Sequence, residues 1–164
     1  MQYMNLSPND RAEVMASLSR MPQILRDAFS AIDPETARTP GPNGLFSPVE
    51  QAWHLADLEQ EGFGLRIEKL RTEPAPYLPD FDGDAVAAQR NYRSLSLREA
   101  LMAFESSRAA NLNALRELSQ EEWLRAGTQE GVGAVSLCDL PMMMMQHDQA
   151  HLSEIEQWRL NESK

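Results

Sequence analysis

The sequence predicts an all-α fold: a four-helix bundle formed by a single domain over residues 1–164. Three observations predict it. Apolar residues recur at helical spacing over most of the chain, with almost no strand pattern. Serine-based caps open several of the long segments. Prolines and glycines cluster between those segments, as connections require.

Taken in order, Ser7-Pro8-Asn9-Asp10 reads as an N-cap followed by proline at the first helical position. Val14, Leu18, Met21, Leu25 and Phe29 follow at helical spacing, and Pro22 predicts either a kink or a start near Ser19. Asp33 to Phe46 reads as a loop. Ser47-Pro48-Val49-Glu50 is a capping box with proline at N1, opening a helix to about Arg71. Pro74, Pro76, Pro79 and Gly83 mark an irregular stretch, with a short helix near Val86 to Tyr92. Ser96-Leu97-Arg98-Glu99 opens a third long helix towards Leu118. Gly127, Gly131 and Gly133 mark a loop or small hairpin. The last helix starts at Ser136 or Asp139, with Pro141 favouring the later start, and runs to about Leu160.

Composition excludes several function classes. The net charge of −10, with basic residues dispersed among acidic ones, argues against a nucleic-acid partner. No run of about 18 apolar residues suggests a membrane span. The first ten residues lack the basic start and apolar stretch of a secretory leader, and Cys138 stands alone, so cytoplasm is the default location. We read Cys138 as structural.

The chain has three histidines, His54, His147 and His151. On a helical wheel Leu140, Met144, His147, His151, Ile155 and Trp158 form one stripe. Two histidines four residues apart have Cβ atoms about 6 Å apart, so both imidazoles can reach one ion. The competing reading is a pair of core histidines without metal. His54 lies off the main apolar stripe of its helix (Val49, Trp53, Ala56, Phe63, Ile67 and Leu70), between an acidic row and Leu58 and Leu65. That helix is therefore expected to be buried on two sides. Three imidazoles would favour Zn, Ni, Fe or Cu over Mg or Ca, and would leave a coordination position open for chemistry.

Phe46-Ser47-Pro48-Val49-Glu50, then His54-Leu55-Ala56-Asp57, then His147-Asp148-Gln149-Ala150-His151-Leu152 together resemble the DinB-like superfamily of metal-dependent enzymes. The likeness runs from about Leu18 to Trp158 and includes Ala103 to Leu118. It implies an up-down-down-up bundle, often a homodimer, with His54, His147 and His151 as ligands of a divalent metal ion. It also implies thiol-dependent transferases among the relatives, hence a low-molecular-weight thiol as a possible cosubstrate.

Arg108 and Asn111 interrupt the apolar stripe of the third helix. Arg108 is a candidate anchor for a substrate carboxylate; the alternative is a packed stem whose head reaches solvent or an acidic neighbour. Asp57 and Glu61 are candidates to orient an imidazole or act as general base, against the reading of a solvated acidic row. In the run Met142 to Met145, Met144 is expected to face the core. The function expected is an enzyme acting on a small electrophilic substrate with a metal-activated thiol or water, as a transferase or hydrolase. The alternatives are a non-catalytic metal-binding stress-response protein and a bundle with an empty histidine cluster.

Overall fold

The structure, a computed structural model, describes residues 6–164. The first five residues, part of the stretch from which the absence of a leader was read, lie outside them. Four long helical segments form the bundle. They are α1 (Pro8–Phe29), α2 with α3 (Pro48–Asp57 and Leu65–Thr72), α5 (Leu97–Arg116) and α6 (Leu140–Glu162). A short helix α4 (Gly83–Arg90) lies between α3 and α5. The long helices pack α1 against α5 and α6, and α2 against α5. Among the described residues no helix is long and apolar enough to cross a membrane.

The starts follow the capping chemistry. Ser7 caps α1 through Asp10 N–H, Ser47 and Glu50 form the reciprocal box of α2, and Ser96 caps α5 through Glu99 N–H. Helix α6 starts at Leu140 with Pro141 in its first turn. Of the two expectations for Pro22, a kink or a start near Ser19, the late start is not seen: α1 runs from Pro8, with Pro22 inside it. A proline there leaves the carbonyl four residues earlier without its helical donor. That carbonyl is Leu18 O, and Arg108 Nη1 of α5 donates to it at 3.0 Å. A side chain from another helix thus replaces the missing bond.

Between α2 and α3 the helix does not stop; it widens to a π-helical segment over Leu58–Gly64. The continuous helix expected from Pro48 to about Arg71 is present, but its middle is underwound, with more residues per turn than an α-helix. Asn111 of α5 donates to Glu59 O at 2.7 Å within this segment. A Cβ on Gly64 would lie 3.1 Å from both Asn111 Oδ1 and Glu59 O. Glycine therefore lets α5 come this close.

The glycine cluster forms a hairpin, β2 (Ala126–Gln129) with β3 (Gly133–Ser136), and β1 (Tyr77–Leu78) adds in parallel to β2. Among the described residues this small three-stranded sheet is the one departure from helices and their connections. The apolar interior falls into two clusters. One is built on Leu18, Phe63, Leu112 and Met144, the other on Met21, Trp53, Phe104 and Ile155. On α5, Arg108 stands between Phe104 and Leu112; on α6, Asp148 stands between Met144 and Ile155. A layer of buried polar groups thus separates the two halves. Met144 is fully buried, as its place on the stripe predicts.

Candidate metal centre

The three histidines come together from two helices. His54 is on the last turn of α2, and His147 and His151 are on consecutive turns of α6. One ring nitrogen from each lies within 4.8 Å of the other two. His147 Nε2 and His151 Nε2 are 3.0 Å apart. Two nitrogens bound at about 2.0–2.1 Å to one tetrahedral ion would be about 3.3 Å apart, so this spacing already suits a shared ion. His54 was the histidine whose position the wheel left open, and its ring centroid is 4.7 Å from that of His151.

The surroundings keep His54 and His147 neutral and aim His151. Burial, then the nearby His151, pushes the pKa of His54 down to about 4, against the pull of Glu154 and Asp57. Burial, then His151 and His54, pushes His147 down to about 3. Neutral imidazole is the form that binds a metal. His151 Nδ1 lies 2.7 Å from Gln51 Oε1 and 3.0 Å from Glu154 Oε2. Gln51 Nε2 in turn donates to Glu154 Oε2 at 2.7 Å. The hydrogen bond from His151 lowers the pKa of Glu154 to about 2, so its carboxylate is a permanent acceptor. With its proton on Nδ1, His151 presents the Nε2 lone pair to the cluster.

His54 is treated differently. Its Nδ1 is buried and has no hydrogen-bond partner among the described residues. Gly83, the first residue of α4, lies over this ring: a Cβ there would come within 2.6 Å of Cε1 and 2.8 Å of Nδ1. Phe46, Phe63 and Phe81 stand around the cluster at ring separations of 5.9 to 6.1 Å. The donor set fits a divalent metal ion: three imidazoles, mutually close, with a nitrogen left unmatched.

The cluster opens on a cleft of about 470 Å³, lined by His54, His147, Phe63, Arg66, Asp80, Phe81 and Gln129 among others. A larger apolar groove of about 590 Å³, lined by Phe29, Val49, Leu97 and Met102, contains none of the histidines. The cleft, not the groove, adjoins the histidines.

The other residues singled out from sequence are placed as follows. Arg108 is almost fully buried, and all five of its N–H donors are used within the protein: on Glu59, on Asp148 and on Leu18 O, at 2.7 to 3.0 Å. Burial alone would lower its pKa, but Asp148 and Glu59 outweigh that and hold it above the usual arginine value. The expectation that it anchors a substrate carboxylate is therefore corrected, because no donor is left to offer. Asp57 is buried and accepts from Arg90 and from the Tyr92 hydroxyl. Glu61 is exposed on the π segment, and neither it nor Asp57 is among the residues lining the cleft. Cys138 is buried in the core cluster with Leu137 and Leu140, where burial raises its pKa.

The sequence reading missed Gln51, Glu154, Arg66, Asp80, Gln129 and Gly83. Gln51 and Glu154 each lie three residues from a histidine along a helix, so helical spacing could have pointed to them. Asp80, Gln129 and Gly83 come from the irregular stretch and the hairpin, whose approach to the site has no periodic signal.

With this geometry in place, the comparisons are decisive about family. The pattern of the DinB superfamily matches residues 17–155. The chain belongs to the DinB superfamily. A relative from Geobacillus thermodenitrificans (strain NG80-2), named "Putative metal-dependent hydrolase", is 26% identical over 147 residues, 89% of this chain and 82% of that protein. Among solved structures, YfiT from Bacillus subtilis superposes with a TM-score of 0.86 at 17% identity, over 94% of this chain and 88% of its own. It is described as "a probable metal-dependent hydrolase with an unusual four-helix bundle topology", and the four-helix fold of this superfamily is the fold seen here.

Proposed function

We propose that this chain is a metal-dependent hydrolase of small molecules, with His54, His147 and His151 holding one divalent ion, zinc, nickel or iron. The observation that carries this reading is the convergence of three imidazole nitrogens at the wall of an open cleft. The names of the Geobacillus relative and of YfiT support hydrolysis over thiol transfer. A thiol in place of water would use the same histidines, which keeps thiol transfer as the second reading.

A divalent ion bound by three histidines supplies a Lewis-acid centre that acidifies a nucleophile at neutral pH. The protein does the rest. Gln51 and Glu154 hold the His151 ring in one tautomer and one orientation. Burial keeps His54 and His147 unprotonated at pH 7. Phe46, Phe63 and Phe81 limit water access around the rings. The cleft admits a small substrate beside His54 and His147. Hydrolysis there forms a new C–O bond to the electrophilic carbon, breaks the bond to the leaving group, and delivers the water proton to that group.

The test begins with tag-free protein and elemental analysis. About one equivalent of metal per chain is expected, falling to background in His151→Ala with the fold retained by circular dichroism. Hydrolysis of a panel of small esters and amides should then depend on metal and on His151. Absence of metal before and after reconstitution overturns the reading. Turnover of electrophiles only when a thiol is added replaces hydrolysis by transfer.

A further inference from the structure

Arg66 of α3 lines the same cleft as His54 and His147. It is only 5% exposed, yet its Nε has no hydrogen-bond partner among the described residues. Its guanidinium lies over the Phe63 ring, 5.4 Å from the centroid, which leaves the planar edge for another partner. Burial pulls its pKa below the ordinary value, and Asp80, the carboxylate acting on it, opposes that pull. Asp80 also lines the cleft and is exposed. Across the same cleft, Gln129 of β2 is 5% exposed and its Oε1 is likewise unpartnered. Buried polar groups are nearly always satisfied, by protein, water or ligand. Here an unmatched cationic donor and an unmatched neutral acceptor line the same cleft as the histidine site.

We propose that Arg66 and Gln129 form the substrate-binding half of this cleft, selecting a small monocarboxylate that also carries an N–H or O–H donor. The guanidinium edge receives the carboxylate, the chemistry that a planar N–H donor suits best. Gln129 Oε1 receives the donor. Asp80 sets the charge: one negative charge on the ligand is welcome beside Arg66, whereas a dianion such as a phosphate monoester meets an opposing carboxylate. The cleft's volume of about 470 Å³ limits the ligand to small molecules. The inference rests on the hydrolase reading for the substrate's fate but not for its binding.

The probe pair is N-acetylglycine, a monocarboxylate with an N–H donor, and its neutral counterpart N-acetylglycinamide. Each is titrated by calorimetry and ligand-observed NMR into zinc-loaded and into metal-free protein. N-acetylglycine is expected to bind about tenfold or more tighter than the amide, the scale of one charged hydrogen bond. Arg66→Met should abolish that preference with zinc content unchanged, and Arg66→Lys should retain part of it. Gln129→Glu, which leaves Arg66 in place, should weaken N-acetylglycine far more than the amide. Equal affinity for the two probes in the wild-type protein overturns the inference, as does a preference that survives in zinc-loaded Arg66→Met. Failure to take up zinc would instead sink the hydrolase reading, while an Arg66-dependent preference in metal-free protein would leave this inference standing.

Discussion

Two buried polar clusters sit side by side at the level where the apolar interior divides, and they are finished to different degrees. Around Arg108 every donor has its acceptor: two carboxylates and one backbone oxygen, drawn from α1, the π segment and α6. Around the histidines, His151 is fully oriented, while His54 Nδ1 is unmatched and two imidazoles are held well below their ordinary pKa. A closed network rigidifies; an open one points to something that closes it. Arg108, which interrupts the apolar stripe of α5, is therefore architecture. The quieter histidines, with Arg66 and Gln129 beside them, are where ligands belong.

The sharpest way to break this contrast is Arg108→Met. It strands Glu59 and Asp148 in the interior, and breaking such a pair typically costs about 3–5 kcal/mol. Urea unfolding of the metal-free variant should show a loss on that scale. A variant as stable as wild type would mean that the cluster contributes little. The next largest effect is expected at the edge of the open cluster: Glu154→Gln should weaken metal affinity about 10- to 100-fold through loss of the acceptor on His151. Competition with a chromophoric chelator measures it, and unaltered affinity would leave Gln51 as the sole orienter.

Acid separates the clusters further. In the unfolded chain a histidine takes a proton near pH 6.5, but in the metal-free fold His54 waits until about 4 and His147 until about 3. The unfolded state therefore binds more protons through this window, so stability is fully present above pH 6.5 and is lost as pH falls towards 4 and below. Glu154, lowered to about 2, adds a loss of the same sign from about 4.5 downward. Chelator-treated protein should show a melting temperature that declines from pH 7 to pH 4, and replacing His54 by phenylalanine should flatten that decline. The smallest effect concerns Pro22→Ala. Helix propensity alone would make alanine better by about 3 kcal/mol. Because Arg108 already satisfies Leu18 O, a change within about 1 kcal/mol is expected in the same urea experiment.

Much of this molecule was legible in the sequence because its signals are local. Ser7, Ser47 and Ser96 cap where they should, and the i,i+4 spacing of His147 and His151 put both on one face. His54 was less legible. Its helix is buried nearly all round from Ser47 to Glu59, so no single stripe told which way a given side chain faces. The π segment was not legible at all; it is met there by Asn111 from another helix, which donates to Glu59 O. Of the two readings open for Arg108, a substrate anchor or a packed stem reaching an acidic neighbour, the structure bears out the second, but which neighbours it reaches was not legible. Its partners stand 40, 49 and 90 residues away in the chain, and one of them is a carbonyl exposed by a proline.

Asp148 and His147 are neighbours on α6, one clamped by Arg108 and the other turned to the metal centre. The clamp acts as a key in a shaft: α6 cannot rotate to suit whatever ion arrives without tearing a bidentate ion pair. The spacing between the histidine nitrogens is thus inherited from the scaffold. An ion held there as proposed would be selected by bond length and geometry, ions that match the bore being favoured and others strained.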